Sequence, residues 1–161
     1  MSTEAEESAT PPQRPPLAQV LVEALAKAMQ GYRTAEVFNV HAAVNEGVNV
    51  VLAEVLASND LAYNQLVVSL LPDTRAEARL RVLAEIADTH GFDSAVLVGQ
   101  IKRMNKVRND VAHLTLSLFD QDDESVFAEA WGAIESGLEE GQAAMATLVG
   151  LHRSVTGQLA P

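Results

Sequence analysis

Ile101-Lys102-Arg103-Met104-Asn105-Lys106-Val107-Arg108-Asn109-Asp110-Val111-Ala112-His113 decides how the chain is read. Ile101, Met104 and Val111, with Val107 or Arg108 at the edge, recur at three- and four-residue steps, the period of a helix with one buried side. The same stretch carries an obligate cation and an imidazole five residues apart. An arginine neutralises phosphate oxygens through a rigid donor fork, and a histidine moves a proton near neutral pH. On an ideal helix five residues advance about 500°, so Arg108 and His113 point about 140° apart with about 7.5 Å of rise between them. One helix alone therefore cannot turn both head groups squarely to a single bond. Asn105, Asn109 and His113 share a face and form a polar stripe beside the apolar seam. Arg108 lies at the edge of that seam, where its stem can bury while the guanidinium reaches round. Such a stripe is resolved by facing another helix across a cleft, in particular the same helix of a symmetry mate.

Working outward, Asp93 or Ser94 is the expected cap of this helix, which continues through the motif to about Leu118. Upstream, Pro72-Asp73-Thr74 restarts the chain into a helix from about Arg75 to Thr89, with Leu80, Leu83, Ile86 and Ala87 as its seam and His90-Gly91 closing it. A short helix is expected near Leu61–Leu71, after the turn at Ser58-Asn59-Asp60. Before it, Thr34 is a plausible cap for a long helix to Ala57, striped by Val37, Val40, Val44, Val48, Val51 and Val55. Pro16 suits the first turn of an earlier helix running to about Gln30, which Gly31 is expected to break. Downstream, Asp120–Glu124 lacks the glycine and the spacing of a calcium loop and reads as a solvated linker. A last helix from about Ser125 to His152 turns Phe127, Trp131, Ile134, Leu138, Met145 and Leu148 inward. The expected fold is all-α: an antiparallel bundle of about five to six helices with short loops.

The 161 residues suit one domain with a real core. Residues 1–15 are acidic and proline-rich and are expected to be a disordered tail; 16–155 form the helical domain, and 156–161 a flexible C-terminus. Aromatic residues make up only 4%, so the core must be built from Leu, Val and Ala, a mixture that favours helix packing over a sheet sandwich. The absence of cysteine excludes disulfides, thiol nucleophiles and cysteine-based zinc sites. No uncharged apolar run reaches membrane-spanning length and no signal peptide is visible, so a cytoplasmic protein without membrane contact is expected.

The formal net charge of −11 opposes unspecific polyanion binding. Seven of the eleven basic residues nevertheless lie between Arg75 and Arg108, so a basic patch on an acidic body is compatible with the sequence. The plainer reading is a set of solvated helix faces with partners four residues away, such as Arg81–Glu85 and Lys106–Asp110.

The Arg108–His113 spacing, inside a long helix late in an all-α chain, resembles the R-x4–6-H signature of HEPN domains. Many of these are ribonucleases of toxin–antitoxin and phage-defence systems. The resemblance implies a HEPN-like bundle acting as a homodimer whose paired motifs line one RNA-accepting groove. It implies a metal-independent endoribonuclease with no cofactor and no metal. Carried over, His113 is the general base or acid, Arg108 holds the scissile phosphate, and Asn109 orients the imidazole or contacts the phosphate. Lys102, Arg103 and Lys106 would bind RNA. Asp110 would pair with Lys106 or help set the His113 tautomer. An antitoxin or regulatory protein is an implied partner.

His41 and Asn45-Glu46 place polar groups on the helix expected to face the motif. Glu46 could pair with Arg108 or support His113, whereas His41 reads mainly as part of an exposed polar strip. Gly137-x3-Gly141 reads as a packing point. The P-loop, dinucleotide, HExxH and G-x-S-x-G motifs are absent. The competing function is a non-catalytic bundle that dimerises or docks a partner through the motif helix, its polar residues a structural network.

Overall fold

A computed structural model describes residues 17–113 and 124–158, with side chains from residue 21. The expected tail at 1–15, Pro16 in a first helical turn, the extension of the motif helix to Leu118, most of the Asp120–Glu124 linker and residues 159–161 lie outside the described residues. The described chain is an all-helical bundle without strands: α1 (Leu17–Leu56), α2 (Asp60–Gln65), a π-helical segment (Leu66–Leu70), α3 (Leu71–Asp73), α4 (Ala76–Thr89), α5 (Ser94–Ala112) and α6 (Glu124–Val155). No helix among the described residues is long and apolar enough to cross a membrane.

Local chemistry explains most boundaries. Asn59 accepts from the Ala62 N–H at 2.9 Å and starts α2, and Asp93 accepts from the Val96 N–H at 2.9 Å and starts α5. Gly91, at φ 77°, ends α4: its N–H reaches Asp88 and the Phe92 N–H reaches Ala87, a Schellman closure. Gly157, at φ 70°, follows α6 in the same way, with the Gln158 N–H donated to Arg153.

Two expectations are corrected. Gly31 does not break the chain; α1 runs through it for 40 residues. Thr34 is therefore no cap, and its hydroxyl donates back to the Gln30 carbonyl at 3.0 Å inside the helix. The isolated glycine costs only about 1 kcal/mol against alanine, which α1 recovers by continuing into a buried half. At the motif, the described part of α5 runs to Ala112, with His113 as its C-cap. The helix expected near Leu61–Leu71 is also divided, because a π-helical turn interrupts it.

Helix α1 packs along α6, α6 along α5, and α4 against both α1 and α5. One core cluster joins Val44, Val48 and Leu52 of α1 to Leu83 of α4, Leu97 of α5 and Leu148 of α6. A second, around Val37, Met104, Ile134 and Leu138, fills the other end of the α1–α5–α6 interface. The expected seam of α4 (Leu80, Leu83, Ile86, Ala87) buries; of the expected α5 seam, Leu97, Ile101, Met104 and Val111 bury, Val107 and Arg108 are half-buried, and Leu114 and Leu118 lie outside the described residues. The α6 glycines are packing points: a Cβ on Gly137 would stand 2.7 Å from Val107, and one on Gly141 2.5 Å from Val40 and 2.9 Å from the Met104 sulfur.

Candidate functional site

The α5 seam fixes where its polar side must go. With Ile101 and Met104 buried, Asn105 and Asn109 turn toward α1, where His41, Asn45 and Asn49 stand at four-residue intervals along one face. Helix α4 closes the third side with Arg79. These residues line an open cleft of about 510 Å3, whose remaining wall is Ala42, Pro72 and Ala76. Among the described residues no carboxylate lines it, in a chain of net charge −11.

Asn49, only 5% exposed, is the buried polar residue of the described core, and its carbonyl oxygen accepts from Arg79 Nη1 at 2.6 Å. This bond ties α1 to α4 across 30 residues of sequence. Burial lowers the Arg79 pKa from its usual value, and its Nε is buried without a hydrogen-bond partner. Arg108 is half-buried with its guanidinium carbon 5.7 Å from the Phe38 ring centroid, a cation–π arrangement. Its Nη1 donates to Asn109 Oδ1 at 3.0 Å, while its Nε is also buried and unpartnered.

Both cations act on His41. Burial first, then the positive charges of Arg108 and Arg79, hold its pKa below the ordinary histidine value, and the Asn105 side chain offsets this in part. The ring is thus neutral at neutral pH. The Asn45 amide nitrogen lies 3.0 Å from His41 Nε2, a distance at which it donates to an unprotonated ring nitrogen. The Asn105 carbonyl oxygen is buried and has no partner in hydrogen-bond geometry.

The structure brings Asn109 and His41 to one cleft, seats Arg108 beside it on Phe38 and Asn109, and leaves the other sequence-derived candidates outside it. His113 is exposed at the end of α5; among the described residues its backbone N–H is engaged, donating to Asn109 at 2.9 Å. Asp110 pairs with Lys106, one of the two alternatives open to it. Arg103 reaches Glu140 of α6 with two hydrogen bonds, at 2.7 and 3.0 Å. Lys102 is exposed on the α4 side, near Glu77 and Arg81. The three basic residues therefore point to different neighbours. Glu46 faces α6, beside Met145 and His152, and does not meet Arg108. Lys106–Asp110 forms as the four-residue spacing expects, whereas Arg81 and Glu85 form no ion pair among the described residues.

Arg79 and Asn49 were not singled out by sequence reasoning, and His41 was read mainly as exposed. A signal was present: polar residues at 41, 45 and 49 on an otherwise apolar helix match those at 105 and 109 on another. Among the described residues no group of three or more His, Asp or Glu is placed to hold a metal ion. Comparison with protein-family models, with curated proteins and with solved structures finds no match for this chain.

Proposed function

We propose that the chain is a HEPN-like endoribonuclease that works without metal, as a homodimer, in the manner of toxin or phage-defence effectors. The observation that supports this reading is the cleft itself: Asn109 and Arg79 line it, Arg108 is hydrogen-bonded to Asn109 beside it, and among the described residues no carboxylate lines it. A phosphodiester brought there meets arginines that pair with no acid among the described residues. His113 continues the Asn105–Asn109 stripe by one turn, and its exposed ring is open to a second copy. In the reaction, His113 would take the proton of an RNA 2′-hydroxyl as that oxygen attacks phosphorus, or give one to the departing 5′-oxygen. Arg108 would stabilise the charge gathering on the phosphate. An antiparallel arrangement and a cytoplasmic location belong to the same proposal.

Purified protein incubated in EDTA with mixed-sequence RNA tests it, with Arg108→Ala and His113→Ala alongside and the mass of each recorded. Cleavage that persists in EDTA and drops by roughly 10²- to 10⁴-fold in both variants, at unchanged dimer mass, is the expected result. Intact RNA with wild type overturns it. A second reading, the non-catalytic interaction module, is favoured by the Asn49–Arg79 bond and the seating of Arg108 on Phe38. On that reading the substitutions alter mass or stability and no activity is lost.

A further inference from the structure

Five large apolar side chains stand bare on the N-terminal half of α1: Leu21, Val22, Leu25, Met29 and Tyr32 are 54–69% exposed. At the helical pitch they fall within about 100° of arc, and that arc is centred about 100° round from Val37, Val44, Val48 and Val51. The latter face the core. The bare residues are therefore a second seam, not the continuation of the first. We infer that this seam is the contact of a two-fold dimer, in which the N-terminal half of α1 lies along the same half of a second copy.

The spacing suits a helix as the occupant. Val22, Leu25, Met29 and Tyr32 follow one another at steps of three, four and three residues, the rhythm by which two helices interlock along a shared seam. A β-branched residue followed by leucine is the order that two-stranded pairs favour. The next position in the rhythm is Glu36, paired with Arg33 at 2.9 Å, and there the seam ends. Ala24 and Ala28 are exposed beside it and leave room for close approach.

Charge and area favour a second copy. The charged residues between Leu21 and Tyr32 are Glu23 and Lys27, which lie about 150–170° round the helix from the centre of the seam. Two copies of a chain of net charge −11 thus meet there without setting like charges face to face. Side chains of this exposure on two copies offer on the order of 1,000 Å2 together, the threshold of a specific interface. A partner without an equal apolar face supplies only half of it. At that area the dimer falls in the micromolar range and dissociates on dilution, so the dilute chain carries the seam bare. His41 and Asn45 also lie about 150–170° round α1 from the seam, so this contact is separate from the motif cleft. It does not rest on RNA cleavage and stands for a chain that cleaves nothing.

The test is light scattering and sedimentation on the full chain over a range of concentrations, with circular dichroism to follow folding. The mass is expected to rise from 17.2 kDa at high dilution to twice that value. Leu25→Glu sets two carboxylates against each other and should weaken the dimer by at least about tenfold. Leu61→Glu makes the same change at a residue 69% exposed on α2 and should leave it intact. Should Leu25→Glu lose helix, Tyr32→Glu decides in its place. A chain that stays at 17.2 kDa throughout leaves the seam to another occupant and overturns the proposal. So does a dimer that survives the α1 substitution, or one that Leu61→Glu dissociates equally. Arg108→Ala and His113→Ala should keep this dimer, so an inactive ribonuclease and an unpaired α1 are separate results.

Discussion

Helix α1 contains two halves that look alike in sequence and fare differently in the fold. Leu21, Val22, Leu25 and Met29 repeat at helical spacing, as do Val37, Val44, Val48 and Val51. The first set is 54–67% exposed; the second is at most 2% exposed. Hydrophobic periodicity thus identifies a face without identifying what covers it. The half covered by α4, α5 and α6 supplies the core. Among the described residues the other meets α6 toward the junction, where Ala26, Met29 and Gln30 share a cleft with Phe127 and Trp131, and Arg33 pairs with Glu36 and Glu135 and lies 5.7 Å from the Trp131 ring centroid.

Matched substitutions in the two halves break or sharpen that contrast. Leu52→Ala empties a fully buried site and should cost about 2–5 kcal/mol in chemical denaturation, whereas Leu25→Ala should stay within about 0.5 kcal/mol. Comparable losses at both positions would mean that the N-terminal half is covered too. Alanine at two glycines gives the next largest effect, with opposite signs. Gly141→Ala forces a methyl onto Val40 and Met104 and should destabilise by about 1–3 kcal/mol. Gly31→Ala meets nothing within 4 Å and should stabilise α1 by about 0.5–1 kcal/mol. The smallest effect is the pH dependence from His41. Its pKa is lower folded than unfolded, so the unfolded chain binds more protons and stability falls as pH drops below the ordinary value of 6.5. His41→Asn should flatten the melting-temperature profile in that window. An unchanged slope would remove His41 from the cationic setting described above.

Much of the bundle was legible because its signals are local. The Asp93 cap, the Gly91 closure and the seams of α4 and α5 each depend on residues within a few positions of one another. What escaped depends on distant partners. Gly31 reads as a breaker until the packing of the half beyond it is weighed, and Thr34 reads as a cap until its hydroxyl is seen turned back to Gln30. The cleft was half legible: Arg108 and Asn109 stood out through their motif, whereas Arg79 gains its meaning only from Asn49, 30 residues earlier. His41 resembled a solvated residue because the two arginines that govern it sit on other helices.

The bare glycine surface of α6 has a consequence for the opposite side of α5. Val107 and Met104 press into Gly137 and Gly141, so α5 lies as near to α6 as backbone allows. Asn105, Arg108 and Asn109 ride on the same rigid rod. A methyl on Gly137 would press on Val107 of α5, and one on Gly141 on both Val40 of α1 and Met104 of α5, in neither case meeting a residue of the cleft lining. The seating of α1 and α5, the two helices that wall the cleft, is therefore governed from the rear, by two missing side chains outside its lining.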